Sequence, residues 1–216
     1  MRAFIFDLDG VIVDTAKYHF KSWKIIAKKI GFKLSKTQNE LLKGVSREES
    51  LNKVLNWGGI SINRLEKNKY LEEKNELYKG FINNLNHMDI LPGVNKLINF
   101  ARNNNIPIAL GSASKNAHRI LEKLGIKNKF KVIIDGNLTS KSKPHPEVFL
   151  RGAEILGINP KNIIVFEDSI AGIEAANKAK MISIAVCAKR KIKNATFNFN
   201  SLDDISLEFF EKLEFK

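Results

Sequence analysis

Phe6-Asp7-Leu8-Asp9-Gly10 follows a short apolar run, Ala3-Phe4-Ile5, and its place there decides how the rest of the chain is organised. A run so brief and so apolar predicts a fully buried strand. The two carboxylates then stand where that strand gives way to a loop, with Gly10 suited to the turn. Open α/β sheets bind ligands at the carboxyl ends of their strands, so Asp7 and Asp9 can face one crevice. Two carboxylates this close repel each other unless a cation or a proton intervenes. That suits one ionised nucleophile bound to Mg²⁺ beside one acid/base. Standing alone, the pentapeptide is equally an Asp-rich turn.

Further apolar runs at residues 106–110, 132–134, 163–166 and 183–186 repeat the pattern, bounded by Asp, Gly, Ser or Lys. Amphipathic segments at 94–103, 117–124 and 147–156 lie between or before them, the last two followed by Gly125 and Gly157 as C-caps. This βα alternation predicts an α/β fold with a doubly wound, parallel, Rossmann-like sheet. Residues 14–89 break the alternation. They hold no strand pattern but carry helical periodicity at 16–30, 47–56 and 62–84, which predicts an inserted helical cap. The expected division is therefore a catalytic core of residues 1–13 and 90–216 with a cap of 14–89. Ser46-Arg47-Glu48-Glu49 fits a capping box, and Pro92-Gly93 marks the return to the core.

The 216 residues include 36 Lys+Arg against 23 Asp+Glu, a formal charge of +13 that suits an anionic partner without naming it. No long basic run exists, so the charge reads as scattered lysine. The loop Lys189-Arg190-Lys191-Ile192-Lys193 is the most basic stretch and reads as a solvated turn. The single cysteine, Cys187, lies in the apolar run 181–188 and is expected to be a buried small hydrophobe. Neither a signal-peptide core nor a membrane-length apolar stretch is present, so a cytoplasmic protein is expected.

Three further pieces follow Asp7 and Asp9 in order, each at the end of an expected strand. Gly111-Ser112-Ala113-Ser114-Lys115-Asn116 offers hydroxyls and backbone N–H groups at a helix start, which can hold a phosphate; by itself it is an ordinary N-cap. Ser142-Lys143-Pro144-His145-Pro146 supplies an ammonium that can neutralise a nucleophile and a transferring phosphoryl group. Glu167-Asp168-Ser169 adds carboxylates able to complete a hard-cation site with Asp7.

Asp-x-Asp, then Ser, Lys and Glu-Asp in this order, resemble the four motifs of the haloacid dehalogenase superfamily, and they span nearly the whole chain. The resemblance implies that Asp7 forms an aspartyl phosphate. It also implies that Mg²⁺ is held by the Asp7 side chain, the Asp9 backbone carbonyl and Asp168, with Glu167 close by. Ser112 and Lys143 would hold the phosphoryl group and Asp9 would serve as acid/base. Within the superfamily, three segments are similar to the β-phosphoglucomutase family: Asp14-Thr15-Ala16-Lys17-Tyr18-His19-Phe20, Lys43-Gly44-Val45-Ser46-Arg47-Glu48 and Ser112-Ala113-Ser114-Lys115-Asn116. That likeness implies a phosphorylated hexose substrate. Arg47 would grip the phosphate not being transferred, with Ser114, Lys115 and Asn116 helping. His19 would contact Asp9. Thr15, Trp23, Lys43, Gly44, Lys74 and Ala113 are the remaining substrate-pocket positions. A monomer is expected, with no nucleic acid or membrane partner.

Two other readings share parts of this pattern. A sugar-phosphate phosphatase would use the same core motifs, with Asp9 activating water. A basic nucleic-acid-binding protein would keep the fold and show a contiguous Lys/Arg face. His87, His118 and His145 form no metal-ligand cluster in sequence. Ala179-Lys180-Met181 puts Lys where similar proteins usually have Gly, so a different ending is expected for the helix before it.

Overall fold

The computed structural model describes residues 2–188 and 190–213. Its strands are β1 (Ala3–Phe6), β2 (Ile108–Gly111), β3 (Val132–Ile134), β4 (Ile163–Glu167), β5 (Ile182–Val186) and β6 (Phe197–Phe199). They make one sheet in the order β3-β2-β1-β4-β5-β6, and every pairing is parallel. Strand order reverses between β1 and β4, where Phe6 pairs with Phe166. Asp7 and Glu167 therefore emerge side by side at the sheet's switch point.

β1 shows why these residues form a central strand. Its side chains alternate between the two faces and all four are fully buried. Phe4 and Phe6 enter one core with residues of α5 (Val94–Asn103), α6 (Ala117–Lys123) and α9 (Leu207–Lys212). Ala3 and Ile5 enter the other, with residues of α7 (Glu147–Leu156) and α8 (Ile170–Lys178). Burial of each Phe or Ile contributes roughly 1.5–3 kcal/mol of transfer free energy, so the strand bearing Asp7 is among the most firmly held parts of the chain.

Between β1 and α5 the regular elements are helical: α1 (Ala16–Lys29), α2 (Lys36–Glu40), α3 (Arg47–Gly58) and α4 (Arg64–Ile82), with one turn of 3₁₀ helix at His87–Asp89. Trp23, Ile26, Leu34, Leu51 and Val54 form an apolar cluster of their own, separate from both faces of the sheet. Tyr78 and Ile82 of α4 instead join the Phe4 core. The chain leaves and re-enters the sheet region at one place. Val13 pairs antiparallel with Ile90, and the Leu91 amide donates to the Ile12 carbonyl at 2.9 Å.

The structure departs from expectation at several points. β2 begins at Ile108 rather than 106, because the Ile106 amide closes the turn after α5 by donating to Ala101. α2 was not anticipated, although Ser35 and Gln38 cap it reciprocally. β6 and α9 were not anticipated either; both are short, and β6 is only half-buried, which leaves little apolar signal. Cys187 lies just beyond β5 and is partly exposed, not buried within a strand. The Ser46 capping box is half formed: the Glu49 amide donates to Ser46 Oγ, but the Glu49 carboxylate accepts from Ser142 Oγ instead of reaching back. α8 ends in a left-handed turn after all, with Lys180 itself at φ +59°.

Candidate active site

The loop after β1 carries Asp7 into a buried acidic cluster. Ligand atoms of Asp7, Glu167 and Asp168 lie within 4.8 Å of one another. Gly10, at φ +89°, permits this crowding, since a Cβ there would come within 2.4 Å of Asp168 Oδ2. Lys143 is the internal counter-charge. Its ammonium donates to Asp7 at 2.5 Å, Glu167 at 2.7 Å and the Gly111 carbonyl at 2.9 Å. Burial drives the Asp7 pKa well above its ordinary value, and Lys143 offsets this only in part while Glu167 and Asp9 add to it. Burial likewise lifts Asp168 to about 6, against the pull of Lys43. Three buried carboxylates this close together, all oxygen donors, fit a hard dication such as Mg²⁺.

Asp9 faces away from that cluster. Its Oδ1 accepts a hydrogen bond from Thr15 Oγ1, and Tyr78 Oη lies 3.5 Å from the same atom. Thr15 stands at the N-cap of α1 yet makes no side-chain cap bond, because its hydroxyl is committed to Asp9. His19, one turn into α1, brings Nε2 to 3.7 Å from Asp9 Oδ1, too long for a hydrogen bond, and that nitrogen is buried without a partner. The other ring nitrogen, Nδ1, is 2.7 Å from the Lys74 ammonium. While Lys74 is protonated it can only donate, and the imidazole proton then stands on Nε2, facing Asp9. Burial raises the Asp9 pKa, but His19, Thr15 and Lys74 outweigh it and hold the carboxyl below its ordinary value. Burial and the charge of Lys74 lower the His19 pKa, against the pull of Asp9.

Lys74 is 2% exposed, lying over the rings of Tyr78 at 4.7 Å and Trp23 at 5.3 Å. Burial, reinforced by the charge of Arg47, lowers its pKa to about 7. Full burial is uncommon for a lysine unless its charge is paired.

Lys43 belongs to the segment between α2 and α3 yet reaches the acidic cluster, donating to Asp168 Oδ2 at 2.9 Å. It also faces Glu40 at 3.4 Å, and Glu40 in turn faces Arg190 at 3.6 Å. Burial works against the Lys43 charge, but Asp168 and Glu40 raise its pKa overall. Gly44, at φ +75°, lets this segment close on the sheet side, since a Cβ there would meet Ser169 Oγ at 2.7 Å.

The loop after β2 forms the opposite wall. Ser112 is fully buried, and its Oγ accepts from the Ser114 amide at 3.1 Å; Ser114 Oγ accepts from the Asn116 amide at 3.3 Å. Asp7, Asp9, His19, Trp23 and Lys74 share one cavity of about 280 Å³ with Lys43, Gly44 and Arg47 and with Ala113, Ser114, Lys115, Asn116 and Asp168. Thr15, Ser112, Lys143 and Glu167 support it from behind through the bonds already described. The structure thus brings together every site residue expected from sequence. Sequence reasoning missed Tyr78, one helical turn beyond Lys74 on α4, and Asn75, the residue after it. It also missed Glu49, whose bond to Ser142 joins α3 to the loop before α7.

Parallel strands carrying Asp-x-Asp, Ser, Lys and Glu-Asp at one edge define the class of protein. The chain belongs to the family of haloacid dehalogenase-like hydrolases, matched over residues 4–186. It is 40% identical over 210 residues to the β-phosphoglucomutase of Bacillus subtilis (strain 168), covering 96% of this chain and 93% of that one. A crystal structure of β-phosphoglucomutase from Clostridium difficile superimposes with a TM-score of 0.94 at 43% identity, over 98% of this chain and 96% of that one. The phosphorylated carbohydrates phosphatase of Thermotoga maritima is 30% identical over 183 residues, 83% of this chain and 82% of that one. Among the described residues, no helix is long and apolar enough to cross a membrane.

Proposed function

We propose that this chain is an enzyme, a phosphomutase that isomerises β-glucose 1-phosphate to glucose 6-phosphate through phospho-Asp7 and glucose 1,6-bisphosphate. The observation that carries the reading is that one cavity holds two separate sets of anion-binding groups. Lys143, bonded to Asp7, and the buried Ser112 form one set behind the nucleophile, while Arg47, Ser114, Lys115 and Asn116 form a second set in the cavity lining. A bisphosphate needs both.

In this scheme phospho-Asp7 gives its phosphoryl group to the sugar 6-hydroxyl while Asp9, held ionised by its neighbours, takes the hydroxyl proton. The bisphosphate turns end for end. Asp7 then accepts the 1-phosphoryl group, Asp9 returns its proton to the sugar oxygen, and glucose 6-phosphate departs. Lys143 and Ser112 stabilise charge on the equatorial oxygens. Asp7, Glu167 and Asp168 would hold Mg²⁺, with the Asp9 carbonyl assigned as a further ligand, and the ion would supply electrostatic stabilisation of the transferring group. Lys74 and Trp23 line the sugar's position, and His19 with Thr15 orients Asp9.

Residues 14–89 act as a cap over a core of 1–13 and 90–216, and Lys43, Gly44 and Arg47 carry the cap's side of the site. Closure excludes water, so that phosphate passes to sugar rather than being lost. The protein is assigned as a cytoplasmic monomer acting on a phosphorylated hexose.

The test is a coupled assay for glucose 6-phosphate formed from β-glucose 1-phosphate with Mg²⁺ and a trace of the bisphosphate, run beside an assay for free phosphate. Isomerisation far outrunning phosphate release is expected. Phosphate release without isomerisation would make the chain a phosphatase of the same architecture.

A further inference from the structure

Asn75 lies one residue beyond Lys74 on α4, and no motif marks it. Its side-chain carbonyl is the meeting point of two groups from different parts of the chain. Arg47 Nη2, from the first turn of α3, donates to Asn75 Oδ1 at 2.7 Å. Asn116 Nδ2, from the loop after β2, donates to the same oxygen at 3.0 Å. A guanidinium has no acceptor, so the atom facing it must be the amide oxygen and the rotamer is unambiguous. Arg47 and Asn116 both line the cavity that also holds Asp7 and Asp9.

We propose that Asn75 is the positioning residue of the distal phosphate seat, gathering the cap's Arg47 and the core's Asn116 onto one neutral oxygen so that their remaining donors face the substrate together. The proposal rests on the two-phosphate reading above. Donor arithmetic supports it: Asn75 engages one N–H of the five on a guanidinium and one of the two on an amide nitrogen, leaving the others for a phosphate. Neutrality matters as well. A carboxylate at this position would take the guanidinium fork bidentately and set a negative charge against the incoming anion. Asn75 therefore acts through Arg47 and Asn116 and does no chemistry of its own.

The experiment is calorimetric binding of glucose 6-phosphate to the wild type, Asn75→Ala, Asn75→Asp, Arg47→Ala and the Asn75→Ala/Arg47→Ala double variant. Alongside it, acetyl phosphate is used to phosphorylate Asp7, a reaction that reports on the Asp7 end alone. Asn75→Ala is expected to weaken sugar-phosphate binding about tenfold, and Asn75→Asp about a hundredfold. Asp7 phosphorylation by acetyl phosphate should stay within about twofold of wild type in both. In the Arg47→Ala background the Asn75→Ala change should add less than about twofold, because the residue it positions is gone. Unaltered binding in Asn75→Ala, or a full additional loss in the double variant, would overturn the proposal. A parallel fall in acetyl phosphate reactivity and melting temperature would overturn it too, by assigning Asn75 a general structural role. Binding is read without turnover, so a failure of the mutase reading appears separately, as absent isomerisation by the wild type.

Discussion

The Lys43 ammonium stands 2.9 Å from Oδ2 of Asp168, so a positive charge from the helical segment already neutralises a carboxylate of the acidic cluster. An ammonium in contact with a carboxylate competes with a dication for it. Replacing Lys43 with Met should therefore tighten Mg²⁺ binding several-fold, measured by calorimetry without substrate. Unchanged affinity would mean that Lys43 leaves Asp168 at no cost when the ion arrives.

Acidity should act on the same carboxylate. Burial raises Asp168 from its ordinary 3.8 to about 6, so near pH 5 most of the metal-free protein carries a proton there. Metal must displace that proton, and apparent Mg²⁺ affinity is expected to fall about tenfold between pH 7 and pH 5. For the metal-free fold the sign is opposite. A raised folded-state pKa gives a contribution complete below the unfolded value of 3.8 and lost as pH rises through about 6. Melting curves with and without Mg²⁺ at both pH values separate the two effects.

Lys143 is 1% exposed and is the shared counter-charge of Asp7 and Glu167. Its loss leaves two buried carboxylates facing each other. Lys143→Ala should destabilise the metal-free chain by about 3–5 kcal/mol, read by urea denaturation, and millimolar Mg²⁺ should restore part of this. A loss equally large with and without Mg²⁺ would assign Lys143 to packing rather than to charge.

The two aspartates of the first loop should separate cleanly. Asp7→Asn is expected to abolish both phosphoenzyme and turnover. Asp9→Ala should abolish turnover yet leave Mg²⁺ affinity within about threefold, because the Asp9 side chain bonds to Thr15 and not to the acidic cluster. Turnover by Asp7→Asn at the wild-type rate would refute the nucleophile assignment.

Lys180 offers a prediction away from the site. Its φ of +59° is left-handed, a conformation that costs a side chain about 1 kcal/mol and glycine almost nothing. Lys180→Gly should raise stability by up to about that amount in urea denaturation, with catalysis unaffected.

How much could be read in advance depended on whether a residue's role was local. Ala3, Phe4, Ile5 and Phe6 announced a buried strand because burial on both faces demands an unbroken apolar run. Asp7 and Asp168 were legible because each directly follows such a strand, whereas Lys143, in the long loop between β3 and α7, was legible as a lysine standing between a strand and a helix. Phe197 and Phe199 gave little signal, as a half-buried edge strand tolerates Asn198 between them. Glu49 was misjudged for a different reason: a capping box is a local expectation, and its carboxylate was claimed by Ser142, distant in sequence. Asn75 was invisible on the same grounds, since neither Arg47 nor Asn116 lies within a helical turn of it.

The bonds joining Ile12 to Leu91 and Val13 to Ile90 have a consequence for how such a chain can change over time. The two crossings lie side by side, so everything between them is, topologically, a single excursion from one point on the sheet. It can lengthen, shorten or be traded for another without moving any strand out of register. Asp7 keeps its surroundings through such an exchange while the choice of molecule admitted to it is rewritten.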